Sequence, residues 1–290
     1  MSLTANRNLN IVCAIAHAGL ASLWAYRTYK NLKVPASYGV YENALVSDDN
    51  GGLKVVAREL NKSMFKTDTR YLMILFFAVT SLFHIIYAAG SGENGYYTQM
   101  LNRKNNMLRW VEYSITSTLM INVISRLSGI NNFGILTLMT TSNVCIMIQG
   151  QITESVLAND SLNNQEKKKL ILVPQITAWI LLISIWYIII RKFYKILDDV
   201  EKGVNKGKPE SEKIKIPEAV RIAIWSQCVF FSVFGLVQLT QIFSTLMGKK
   251  PDYIKYEIAY NSLSLASKAT LGLVLAYGIE QTEGRDETKS

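Results

Sequence analysis

Charge is scarce in this chain of 290 residues: Asp, Glu, Lys and Arg make up 18%, against 49% hydrophobic residues and a mean hydropathy of +0.15. That balance excludes an ordinary soluble domain. Cysteine is nearly absent, and Cys13, Cys145 and Cys228 all fall in apolar runs. This excludes a disulfide framework or a metal cluster and leaves packing as their role. The first apolar run reaches to about Tyr29 and carries His17, so it reads as a retained span rather than a removable signal. The apolar runs lack the two-residue alternation of barrel strands, and no internal repeat stands out. The excess of 31 Lys and Arg over 22 Asp and Glu suits membrane lipid as a partner, and no nucleic acid.

What is present is a set of apolar runs near the ~20 residues that cross ~30 Å of hydrocarbon. Seven are read, at 9–29, 71–89, 107–127, 133–157, 170–190, 220–247 and 256–279. In lipid every backbone group must be satisfied inside its own segment or a closed barrel, so helices are the default. The expected fold is all-α and integral to the membrane, a single seven-transmembrane-helix domain over 1–280. In the 31–70 loop two β-prone runs, Tyr38 to Ser47 and Leu53 to Ala57, flank Asp48-Asp-Asn-Gly-Gly52. They predict a β-hairpin outside the bilayer, with an edge that can pair with a second protomer. The 191–219 loop is charged; its first residues continue the fifth helix until Gly203, Gly207 and Pro209 break it, after which it is solvated and mobile. The 281–290 tail is polar and expected to be disordered.

Lys268 stands at the middle of the last run. A charge at a helix centre costs roughly 2.5–3.5 kcal/mol on insertion scales, so it needs a partner or a function. A desolvated lysine can pair with a carboxylate or condense with an aldehyde to a Schiff base. Glu257, Asn261, Ser264 and Lys268 are spaced 4, 3 and 4 residues apart and share one helical stripe. Arg109, Glu112, Thr116 and Leu119 form a stripe in the third run, and facing stripes bring Glu112 towards Lys268. Counting depth by span parity places His17, His84, Asn106, Arg109, Glu112, Glu154 and Glu257 between the N-terminal face and Lys268. They are expected to line one polar cavity leading to the amine, with every other buried titratable group on that side. Blander roles stand beside these. Lys268 can form a purely structural salt bridge, the histidines can be packing residues, and Glu154 and Glu257 can cap helices. Trp179, Trp186, Tyr187, Trp225, Phe230, Phe231 and Phe234 suit bundle packing or an interface belt, with a minority in a pocket.

A lysine midway along the last span and a glutamate early in the third match retinal-binding rhodopsins in outline. Arg109-Trp110-Val111-Glu112-Tyr113-Ser114, Asn106 one turn earlier, Ser264 four before Lys268, the two histidines and Gln149-Gly-Gln-Ile-Thr-Glu154 resemble the heliorhodopsin family. The likeness runs to about Ile279, and the aspartates usual in the third helix of microbial pumps are absent. The resemblance implies all-trans-retinal on Lys268 as a protonated Schiff base, Glu112 as counterion, and Ser264 hydrogen-bonding nearby. Trp179, Phe231, Phe234 and Gln238 are then chromophore neighbours. After light, His17, His84 and the polar half around Asn106, Arg109, Tyr113, Glu154 and Glu257 take or hold the proton. It further implies a light sensor with a slow photocycle, not an enzyme, and a homodimer formed through the loop between helices 1 and 2. The N-terminus is then cytoplasmic and the C-terminus outside. The smaller share of Lys and Arg lies on the N-terminal face, which by the positive-inside rule places that face outside. The motifs are more specific than the charge bias, so the family orientation is adopted. Two alternatives stay open. One is a light-gated proton channel on the same chromophore, with a second route past Arg126 or Gln175, Gln227, Gln238 and Gln241. The other is a non-retinal proton-coupled transporter or receptor with a bare Lys268–Glu112 salt bridge.

Overall fold

Ser2, Asn106, Asn132 and Asn163 each offer a side-chain oxygen to the free N–H groups of a helix start, and these caps fix where four helices begin. The computed structural model describes residues 2–30, 41–47, 53–59, 69–209, 213, 216–249 and 252–287. The helices are α1 (Leu3–Tyr29), α2 (Thr69–Ala89), a short α3 (Tyr96–Asn102), α4 (Met107–Leu127), α5 (Phe133–Ala158), α6 (Asn164–Asp199), α7 (Glu218–Leu246) and α8 (Tyr253–Glu287). As the sequence suggests, α6 outruns its apolar stretch, and it ends in a π-helical turn at Val200–Val204. Pro174 lies inside α6 and removes one backbone donor there.

Among the described residues five helices, α1, α2, α5, α6 and α7, are long and apolar enough to cross a membrane. The chain is a multi-pass membrane protein. The 21-residue α4 buries Arg109, Glu112 and Arg126, and the 35-residue α8 buries Glu257 and Lys268. The seven long helices close a ring: α1 packs on α2, α2 on α4, then α5, α6, α7 and α8 in turn, and α8 returns to α1. Ile15, Leu138, Val173, Ile183 and Val229 point outward and are exposed, as a lipid-facing surface requires. Between α1 and α2, β1 (Tyr41–Ser47) and β2 (Leu53–Glu59) pair antiparallel with Ala44 opposite Val56. The connection at 48–52 lies outside the described residues.

The bundle interior is divided by depth. Trp24, Met73, Phe76, Phe77, Ile121, Ile124, Ile189, Phe193, Ile224 and Leu271 form an apolar core in the half away from the N-terminal face. The other half holds Asn6, Asn10, His17, His84, Asn106, Arg109, Glu112, Glu154 and Glu257, all buried, and Lys268 sits where the halves meet. Two expectations need correction. Arg27 and Arg126 are buried at the opposite end, so the titratable groups are not all on one side of Lys268. Helix α8 continues to Glu287 where a disordered tail is expected, because Glu, Gln and Arg propagate a helix and no proline stops it. The connection after α2 folds as α3, too short for periodicity to reveal; Tyr97 N and Thr98 N fasten it to the Gly90 carbonyl.

Candidate functional site

Glu112 faces inward from α4 and Lys268 from α8, and Lys268 Nζ donates to Glu112 Oε1 at 2.9 Å with both side chains buried. The other carboxylate oxygen accepts from Tyr87 Oη of α2 at 3.0 Å. Glu112 is therefore held between a cation and a phenol, and Lys268 also lies 5.6 Å from the centre of the Tyr113 ring. Attraction across such a pair in the interior offsets the desolvation of its charges only with good geometry and further hydrogen bonds. Both are present here.

Around Lys268 the ring of α4 to α8 leaves a partly open, mostly apolar cavity. Trp179 of α6 and Phe231, Phe234 and Gln238 of α7 line it, as do Ser264 and Lys268 of α8. Trp110, Tyr113, Met120 and Tyr260 complete much of its apolar wall. The outward aromatics differ: Tyr187 and Trp225 are exposed, while Trp186 packs edge-on against Phe231 in the core. Ser264 Oγ and Thr116 Oγ1 are buried at this cavity without a hydrogen-bond partner among the described residues. An apolar cavity with an amine and unpartnered hydroxyls fits an apolar aldehyde that reacts at Lys268, as retinal does.

On the other flank of Lys268 the polar residues meet as a packed network of direct hydrogen bonds, where an open polar cavity is expected. His17 and His84 stack with ring centres 5.6 Å apart and planes at 5°. His84 contacts Tyr87 edge-on at 5.8 Å, which joins the histidines to the Glu112 side. Arg109 clasps two carboxylates, Glu257 at 2.5 Å through Nη1 and Glu154 at 2.6 Å through Nη2, and all three are buried. Glu154 also accepts from Trp110 Nε1 and Tyr253 Oη, so neither glutamate serves merely as a helix cap. Asn106 Nδ2 donates to Glu257 Oε1 at 2.7 Å while its Oδ1 caps Arg109 N. Tyr113 Oη donates to the Tyr260 carbonyl at 3.3 Å and lines the cavity, so this residue belongs to both sides.

Several members of the network are absent from the sequence reading. Tyr97 of α3 donates to Glu257 Oε1 at 3.4 Å and stacks on Tyr87. Asn6 Nδ2 donates to Tyr97 Oη at 3.1 Å, and Asn261 Nδ2 donates to Asn6 Oδ1 at 3.0 Å. A signal for the α1 members did exist: Asn6, Asn10, Cys13 and His17 repeat the 4, 3, 4 spacing of the Lys268 stripe, and all four are buried. The glutamines fall in two places. Gln175 Nε2 donates to Thr153 Oγ1 and Gln238 Oε1, whereas Gln227 and Ser267 bond each other reciprocally beside Lys268.

The comparisons agree with this geometry. No curated protein matches the sequence. Solved structures share the fold at low identity, among them the following two. The crystal structure of Exiguobacterium sibiricum rhodopsin aligns with a TM-score of 0.60 and 14% identity over 97% of this chain and 98% of that one. The light-driven proton pump LR (Mac) from Leptosphaeria maculans aligns at 0.56 and 10% identity over 97% and 96%. The Heliorhodopsin family profile matches residues 7–279. With a match that spans nearly its whole length, the chain belongs to the heliorhodopsin family.

Proposed function

We propose that the protein is a light-sensing retinal photoreceptor that crosses the membrane seven times and stores a proton internally during a slow photocycle. The buried Lys268–Glu112 pair at the end of an aromatic cavity carries this reading. All-trans-retinal, which Lys268 would hold, would supply visible absorption and a light-driven change of shape. The chain's own residues do the rest. Glu112 and Tyr87 hold the positive nitrogen in the dark, and Trp179, Phe231 and Phe234 exclude water from the ligand. Ser264 and Thr116 offer hydroxyls at the cavity wall. His17 and His84 receive the released proton, and Asn106, Arg109, Tyr113, Glu154 and Glu257 seal the route behind them. The N-terminus is cytoplasmic and the C-terminus outside, and the β1–β2 segment joins two copies in a homodimer.

Adding all-trans-retinal to membranes that hold the protein is expected to give a visible band, and Lys268→Ala is expected to abolish it. An unchanged band in that variant sinks the reading. A light-gated proton channel is favoured by one further observation. Asn143 Nδ2 donates to Ser117 Oγ and Thr118 Oγ1, and Asn122 Nδ2 to Thr140 Oγ1, a polar ladder leading from the cavity along α4 and α5. Photocurrents under voltage clamp support the channel, and their absence over a wide voltage range excludes it. A chromophore-free transporter predicts no visible band and stabilisation by its substrate instead.

A further inference from the structure

Both histidines of the chain are committed at one ring nitrogen. His17 Nδ1 lies 2.7 Å from the Cys13 carbonyl, which can only accept, so Nδ1 carries the hydrogen. His84 Nδ1 lies 2.7 Å from Asn10 Oδ1. The Asn10 amide is oriented from its other end, where Nδ2 donates to the Asn6 carbonyl at 3.0 Å, and that carbonyl can likewise only accept. Asn10 therefore turns its oxygen to His84, and His84 Nδ1 is the donor. In each neutral ring Nε2 is then a bare acceptor, and both Nε2 atoms are buried with no hydrogen-bond partner among the described residues. Carbonyl groups of α1 dictate both tautomers, directly at His17 and through Asn10 at His84.

We propose that Asn10 is a positioning residue that holds His84 as the Nδ1–H tautomer, so that Nε2 is the atom which takes up the proton leaving the Lys268 nitrogen, a role that rests on the proton-storage reading above. The placement suits it. The Tyr87 side chain links His84 to the Glu112 carboxylate, because it meets His84 edge-on and donates to Glu112 Oε2. An imidazole whose Nδ1 lost its acceptor would be free to carry its hydrogen on Nε2 and would present a donor where an acceptor is needed.

The sequence makes the test clean, since it holds only two histidines. Protein labelled with 15N-histidine, purified through a tag without histidine and assigned with His17→Phe, yields the nitrogen spectrum of His84. In the dark, Nδ1 is expected protonated and Nε2 bare. Asn10→Leu is expected to lose the bare-Nε2 signal, whereas Asn10→Asp keeps an acceptor and is expected to retain it. A wild-type His84 protonated at Nε2 in the dark overturns the proposal, as does an unchanged tautomer in Asn10→Leu. If the Leu variant does not fold, the dark wild-type and Asp spectra still decide. Infrared difference spectra after illumination then test the reading beneath. A wild-type protein with the stated tautomer but no light-induced histidine signal removes the acceptor role of His84 and leaves the tautomer control by Asn10 standing. With the signal present, its loss in Asn10→Leu supports the whole proposal.

Discussion

Replacing Arg109 with Met tests whether the Arg109–Glu154–Glu257 cluster holds the polar half together. Contacts of 2.5 and 2.6 Å each represent an attraction of about 6 kcal/mol at an effective dielectric of about 20. Most of that offsets the cost of burying the charges, and the measurable loss when one partner of a buried pair is removed is about 3–5 kcal/mol. Arg109→Met removes the cation from two pairs at once and leaves two glutamates, each buried and each bonded to the same lost group. At about 2–4 °C per kcal/mol, the apparent Tm is expected to fall by roughly 6–20 °C. Glu257→Gln keeps a carbonyl oxygen for Asn106 and Tyr97 and is expected to cost less. The triple variant Arg109→Met, Glu154→Gln, Glu257→Gln carries no unpaired charge and is expected to recover most of the loss. Circular dichroism of the protein in lipid nanodiscs, scanned at one fixed rate because membrane proteins unfold irreversibly, reads all three. A Tm for Arg109→Met within about 2 °C of wild type, or a triple variant no better than the single one, refutes the reasoning.

Other perturbations reach the cavity and the orientation. Tyr87→Phe removes the phenol donor from Glu112 Oε2 and concentrates the carboxylate charge on Lys268, so the visible band is expected to move to shorter wavelength. The size is roughly that of one charge-assisted hydrogen bond, about 1.5–3 kcal/mol at most; an unmoved band sinks the double-donor description. Gly150→Ala would place a methyl group against the Trp110 ring, which lines the cavity and donates to Glu154. Overpacking there is expected to cost about 1–3 kcal/mol, read as faster thermal bleaching than wild type. Two sequons, Asn61-Lys-Ser63 and Asn159-Asp-Ser161, report sidedness in a glycosylating host: sugar is expected on Asn61, and sugar on Asn159 overturns the proposed orientation.

The Lys268–Glu112 pair was legible because a charge in an apolar run is an anomaly, and helical spacing showed which face each residue occupies. Arg109, Glu154 and Glu257 were legible one by one, yet not as a cluster. Depth can be counted along a chain, whereas which helices are neighbours depends on ring order, and here α4 and α8 meet across the interior. Tyr87, Tyr97 and Asn6 escaped notice because tyrosine and asparagine are unremarkable near a membrane interface. The aromatic wall was half legible. Trp179 and Phe231 turn inward and Tyr187 and Trp225 outward, but helices apolar on all sides give no rotational phase from sequence.

The position of the charges also bears on how the protein is made. Helix α4 brings Arg109 and Glu112 into the bilayer; Glu154 of α5 is the first partner made for Arg109, whereas Glu257 and Lys268, the lysine that pairs with Glu112, arrive together on α8 after more than a hundred further residues have been synthesised. During that interval α4 is an insecure guest of the membrane, because Glu112 lacks the lysine that pairs with it. Helix α8, with a glutamate and a lysine of its own, is no more secure until it docks. These two helices thus vouch for each other. Interrupted synthesis before α8 leaves a chain whose third long helix has reason to slip out of the bilayer, a built-in mark by which a cell's quality control can recognise an unfinished copy.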